Sequence, residues 1–212
     1  MTYLRAPLGI LRGQPMTPQQ ALAEQMIAIG RLFHQRAWVP ATGGNFSARL
    51  GSDSLLITAS GWHKGELAPQ AFLAVDLAGE TQQTDKKASY ETLLHCQAYR
   101  RNPQVGAVLH THSIANTVLS RRKSVIFLRQ YELLKILPGL NTHAAAVAIP
   151  VFENDQNIQR LADVVDRHIQ SNPMTPAYLI QGHGLYTWGD DLNQARHRVE
   201  ALEFMFECEL HQ

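Results

Sequence analysis

Val105-Gly106-Ala107-Val108-Leu109-His110-Thr111-His112 is the stretch on which the fold turns. An apolar run of this length, following Pro103 and ending in polar residues, reads as a buried strand. Side chains alternate along a strand, so His110 and His112 project from one face, their Cα atoms about 6.5–7 Å apart, while Thr111 projects from the other. That spacing lets both rings reach a single ion at about 2.0–2.1 Å. An isolated His-x-His at a sheet edge is equally a hydrogen-bonded pair, so the rest of the chain has to decide.

Working outward, Phe46–Leu50 and Leu55–Ala59 read as two strands joined by the turn Gly51-Ser52-Asp53-Ser54, with Phe72–Leu77 as a third. Thr17-Pro18-Gln19-Gln20 carries an N-cap, a proline at the first helical position and a capping-box Gln, and opens a helix to about Arg36. Ser89 can cap a helix that Pro103 stops near Asn102. Downstream, short helices are expected from Ser113 and over about 130–137. A strand is expected over 145–151, then a helix from Asn154 to Ile169. Ala177–Gln181 and Leu185–Trp188 flank Gly182-His183-Gly184 as a tight strand pair, and Asp191 with Gln194 opens a last helix. Strands and helices mix without strict βαβ alternation, which predicts a single α/β domain over 17–212. Its core is a central, largely antiparallel sheet with helices on both faces. Residues 1–16 read as an irregular arm.

With 212 residues the chain can bury one sizeable core. Lys and Arg number 19 against 18 Asp and Glu, a net charge of +1, which gives no long-range pull toward nucleic acid or anionic membranes. No stretch approaches the roughly 20 apolar residues of a membrane span, and no secretory signal is expected. Cys96 and Cys208 form no disulfide framework. A cytoplasmic globular protein is expected.

Among ten histidines, His183 strengthens the reading of the His110/His112 pair. Flanked by two glycines, its ring can project from a strand end. A lone turn histidine is usually just solvated, but three imidazoles with a fourth position open match the ligand pattern of a catalytic zinc site. Glu91 and Glu132 are the carboxylates that could handle protons near such an ion, although most helix glutamates are simply solvated. The Gly43, Gly44, Asn45 turn, Ser60, Gly61 and Ser89 offer backbone N–H groups and hydroxyls suited to an anion. His63 and Lys64 read as a rim or a solvated loop. His34, His168, His197 and His211 read as helix-surface residues, as does His95, four residues after Glu91 on the same helix. His143 has no assigned role.

Five blocks in order, TGGNFSAR (42–49), ITASGWHKGEL (57–67), SYE (89–91), HTHS (110–113) and GHG (182–184), resemble the class II aldolase/adducin-like family over about residues 17–210. The GGNFSAR form, the ASGWHKGEL block and QYELLK (130–135) are most similar to its dehydratase branch. The resemblance implies an αβα fold, one Zn2+ held by His110, His112 and His183, and a homotetramer with active sites near subunit boundaries. It implies dehydration of 5-methylthioribulose 1-phosphate in methionine salvage, with Glu132 matching the dehydratase acid/base and Glu91 matching the glutamate used by phosphate-sugar aldolases. The phosphate pocket maps onto Gly43, Gly44, Asn45, Ser60, Gly61 and Ser89. Tyr131 departs from the pattern, standing where related dehydratases often have Gln. Two alternatives stay open: an aldolase or epimerase acting on another phosphorylated ketose, and an adducin-like interaction module without catalysis.

Overall fold

Thr17 accepts from the Gln20 amide while Gln20 reaches back to the Thr17 amide, and this capping box starts α1 (Pro18–Gln35). The structure, a computed structural model, describes residues 15–83 and 85–212, so positions 1–14 of the expected arm lie outside the described residues. After α1 come β1 (Asn45–Arg49), β2 (Ser54–Thr58), β3 (Phe72–Asp76), α2 (Thr92–Arg101), β4 (Ala107–Thr111), α3 (Ile114–Arg122) and β5 (Val125–Arg129). The chain continues with a 3-10 turn (Glu132–Ile136), β6 (Ala146–Phe152), α4 (Ile158–Ser171), β7 (Ala177–Ile180), β8 (Gly184–Gly189) and α5 (Leu192–Leu210).

The strands form one eight-stranded sheet in the order β3-β2-β1-β4-β8-β7-β6-β5, antiparallel throughout except for the β6–β7 pair. Alternation along the strands divides the core. Ile57, Val108, Tyr178 and Ile180 pack under α2 and α4. Leu56 and Leu109 pack under α1, and Leu179 and Leu185 under α3 and α5. The α/β architecture expected from the sequence is the one observed.

Three local expectations differ. Val125–Arg129 forms an edge strand where the sequence suggested only a link between helices; Ile126 and Leu128 face the core and Phe127 faces outward. Asn157, not Asn154, caps α4, its side chain accepting from the Arg160 amide. Ser89 does not cap α2. Its hydroxyl accepts from the Glu91 amide, and the helix proper starts at Thr92.

Candidate metal centre

The parity of β4 builds the site. Val108 and His110 face α2 and α4, and Leu109 and Thr111 face the opposite layer. Ser113 caps α3 immediately after the strand and ends the extended segment just beyond His112. His110 pairs across the sheet with Tyr186, whose ring stacks on the imidazole at 4.0 Å between centroids. Nδ1–H of His110 donates to the Leu185 carbonyl at 2.8 Å, leaving a bare Nε2 lone pair aimed into the site.

His183 arrives from the other side, on the turn between β7 and β8. Ser120 accepts the Gly182 amide at 3.0 Å, and Thr117 donates to the His183 carbonyl at 3.2 Å, so α3 anchors this turn. Gly184 is required by close approach, because a Cβ there would lie 2.1 Å from the Thr111 carbonyl oxygen and 2.8 Å from the His110 ring. Gly44 has φ +77°, and a Cβ would lie 2.7 Å from the His110 carbonyl oxygen. The loop carrying Gly43 and Gly44 can therefore lie directly against the histidine strand.

Nε2 of His110 stands 2.7 Å from Nε2 of His112 and 3.4 Å from that of His183. Glu91, at the N-cap of α2, places one carboxylate oxygen 3.4 Å from the His110 Nε2 and the other 3.2 Å from the His183 Nε2. One donor atom from each of the four lies within 4.8 Å of all the others, the sole such group among the described residues. Burial pushes His110 well below its ordinary pKa, and burial followed by repulsion from His183 pushes His112 down to about 4. Three imidazole nitrogens and a carboxylate converge on one point, with the His110 Nε2 left as a free lone pair, and this donor set fits a divalent ion. Nitrogens at 2.0–2.1 Å from one tetrahedral ion stand about 3.3 Å apart. The His110–His183 pair matches that spacing, and the His110–His112 pair reaches it by opening roughly 0.6 Å.

Gly43, Gly44, Asn45, Ser60, Gly61 and Ser89 line one cavity of about 340 Å³ together with Glu91, His112 and His183. Asn45 behaves differently from its expected role as an anion donor, because its amide already donates to Glu91 at 2.7 Å and to Ser89 at 3.2 Å. Two further residues are buried: Lys64, read as rim or solvated loop, lies on the cavity rim, and His95, read as a helix-surface residue, lies in the interior. Lys64 sits against the cavity, its ammonium donating to the Thr42 and Trp62 carbonyls at 2.7 Å each, and burial lowers its pKa to about 8. His95 is fully buried and bonded to Asn45 and Ser47. The i,i+4 spacing from Glu91 was the available signal for His95; the packing of α2 onto β1 was not visible.

The structure does not bring Glu132 to this centre within one chain. Phe152, at the end of β6, pairs with Ile180 beside the His183 turn, whereas β5 runs the other way, from Val125 opposite Pro150 to Arg129 opposite Ala146. Glu132 follows β5 at that far end. Its side chain is 71% exposed and ion-paired with Lys135, which holds the carboxyl below its ordinary range, and His143 lies 4.0 Å away. Tyr131 donates to Glu209 of α5 at 2.9 Å.

The Class II Aldolase and Adducin N-terminal domain family matches residues 24–210. A methylthioribulose-1-phosphate dehydratase of Pseudomonas aeruginosa (strain UCBPP-PA14) is 50% identical over 194 residues, covering 91% of this chain and 95% of that protein. Among solved structures, YgbL from Escherichia coli superposes with a TM-score of 0.78 at 27% identity, over 91% of this chain and 89% of that one. The L-fuculose-1-phosphate aldolase from Thermus thermophilus superposes with a TM-score of 0.74 at 25% identity, over 91% and 95%. No described helix is long and apolar enough to cross a membrane.

Proposed function

Because the chain belongs to the class II aldolase and adducin family, we propose that it is a zinc-dependent dehydratase. It converts 5-methylthioribulose 1-phosphate to 2,3-diketo-5-methylthiopentyl 1-phosphate in methionine salvage. The observation that carries this reading is the convergence of three imidazoles and one carboxylate at a cavity walled by glycine and serine turns. The half-identical Pseudomonas protein named for the same reaction supports it. The assembly implied by the resemblance, a cytoplasmic homotetramer, is part of the proposal.

His110, His112 and His183 would hold the ion, which when bound supplies a Lewis acid at the C2 ketone and so acidifies the C3 proton. The amides of Gly44 and Gly61 and the hydroxyls of Ser60 and Ser89 receive the phosphate, Gly43 shapes the turn with its own amide donated to the Pro40 carbonyl, and Lys64 ties the two cradle loops together and adds positive charge beneath them. Asn45 fixes the Glu91 carboxylate against the imidazoles. Glu132, exposed and remote in its own chain, serves the site of a neighbouring subunit. There it takes the C3 proton and returns one to the departing C4 hydroxyl. The C3–H and C4–O bonds break, one water leaves, and the resulting enol tautomerises to the diketone.

One observation favours a second reading. Glu91, not Glu132, stands beside the imidazoles in this chain, as suits a carboxylate serving C3–C4 cleavage of a ketose phosphate. The deciding experiment offers zinc-loaded protein 5-methylthioribulose 1-phosphate and identifies the product by mass. A diketone phosphate one water lighter than substrate supports the dehydratase. Dihydroxyacetone phosphate with methylthioacetaldehyde supports cleavage and moves the proton transfer to Glu91. Protein that takes up no stoichiometric divalent ion and leaves the substrate intact supports a binding module.

A further inference from the structure

Behind Glu91 runs a ladder between α2 and β1. Glu91, His95 and Tyr99 recur every four residues on one face of the helix, and Asn45 and Ser47 alternate on one face of the strand. The Asn45 amide donates to Glu91 at 2.7 Å, and His95 Nε2 bonds the Asn45 side-chain oxygen. Ser47 Oγ lies 2.7 Å from His95 Nδ1, and the Tyr99 hydroxyl 2.9 Å from Ser47. His95, Ser47 and Tyr99 are each at most 2% exposed, so water does not compete for these bonds.

Donor and acceptor directions follow from the Asn45 amide. Asn45 presents its NH2 to Glu91 and its oxygen to His95. His95 then carries its proton on Nε2. Its Nδ1 accepts from Ser47, which in turn accepts from Tyr99. The other tautomer would need Asn45 turned over, its oxygen facing the carboxylate at 2.7 Å. Burial keeps the ring neutral, its pKa lowered to about 3, so the arrangement holds at physiological pH.

We propose that His95 is a positioning residue: through its Nε2–H it orients Asn45, and Asn45 in turn points the Glu91 carboxylate at the three imidazoles. His95 touches neither substrate nor ion. The proposal rests on reading Glu91 as a group of the reacting site, and its test is built so that either can fail alone.

The first readout is independent of turnover. Ring 15N–1H correlation spectra of the full chain, with His95 assigned by the signal lost in His95→Gln, should show a neutral Nε2–H tautomer from pH 5 to 8. An Nδ1–H tautomer or a protonated ring overturns the ladder. The second is kinetic, on zinc-loaded protein. His95→Gln keeps a donor for Asn45 and should stay within about fivefold of wild-type kcat, whereas His95→Leu fills the space without a donor. His95→Leu should lose roughly 10–100-fold in kcat, with KM and zinc content unchanged. Equal losses in the two variants, or a loss confined to KM, overturn the positioning role. Should His95→Leu fail to fold, Asn45→Leu removes the donor to Glu91 without adding charge and should show the same loss confined to kcat; wild-type kcat in that variant also overturns it. Wild-type protein that leaves 5-methylthioribulose 1-phosphate unchanged refutes the dehydratase reading, while the tautomer still decides the ladder.

Discussion

Thr111 donates its hydroxyl to Glu203 of α5 at 2.5 Å, on the face of β4 opposite the one where His110 and His112 meet. Ser113 donates to the second carboxylate oxygen at 2.5 Å, and Asn116 to the first at 2.9 Å. The end of the histidine strand is thus clamped to α5 by a buried acid.

That acid predicts a pH effect on stability. Burial raises Glu203 to about 7 even though three donors oppose the shift. Between about pH 4.5 and 7 the folded protein keeps this proton and the unfolded chain releases it, so stability falls as pH rises through that window and levels off above it. A shift of this size corresponds to about 3 kcal/mol. Urea unfolding at pH 5 and 7.5 should show this contribution in wild type and its absence in Glu203→Gln. Equal pH slopes in the two proteins would refute it.

Metal content separates ligands from neighbours. His110→Ala or His183→Ala should abolish stoichiometric zinc after gel filtration, because either leaves two imidazoles. Glu91→Gln should retain the ion and lose roughly 10²–10⁴-fold in turnover if the carboxylate handles protons. Loss of zinc in Glu91→Gln as complete as in the histidine variants would make Glu91 a ligand instead.

What could be read from the chain alone follows from which signals are local. The His110/His112 parity, the glycines around His183, and the caps at Thr17, Ser113 and Asp191 depend on a few adjacent residues, and each stands as read. Val125–Arg129 carries four apolar residues in a row, but its place at the sheet edge depends on pairing with β6, which no local signal shows. His95 looked like half of a helix-surface pair, since its buried partners Asn45 and Ser47 lie about 50 residues away in sequence. Lys64 stayed open between rim and solvated loop because nothing in its own segment reveals that the Thr42 carbonyl caps its ammonium.

Close approach at Gly184 yields a stability prediction with a metal readout. An added Cβ would lie 2.1 Å from the Thr111 carbonyl oxygen, a backbone atom held within β4, so the strands must part. Gly184→Ala should cost about 1–3 kcal/mol or more and weaken zinc binding at the same time. Gly79→Ala, strained by φ +90° but outside the site, should cost roughly 1–2 kcal/mol with zinc affinity unchanged. Equal zinc affinity in the two variants would mean that the β4–β8 contact does not set the ligand geometry.

Placement of Glu132 beyond the far end of β5 gives the sharpest prediction about assembly. If this carboxylate acts in its own chain, no mixture of inactive variants can regain activity. If it acts in a neighbour's site, Glu132→Gln supplies intact histidines and His110→Ala supplies an intact glutamate. Mixed oligomers then contain sites built from the two good halves. With random mixing in equal amounts, a symmetric ring of such interfaces restores about a quarter of wild-type sites. The two variants, inactive alone, should therefore recover roughly 25% of wild-type turnover after joint unfolding and refolding. Mixtures that stay inactive, although mass measurements show hybrid oligomers, would exclude Glu132 from the neighbouring site and leave Glu91 as the carboxylate at the reacting carbon.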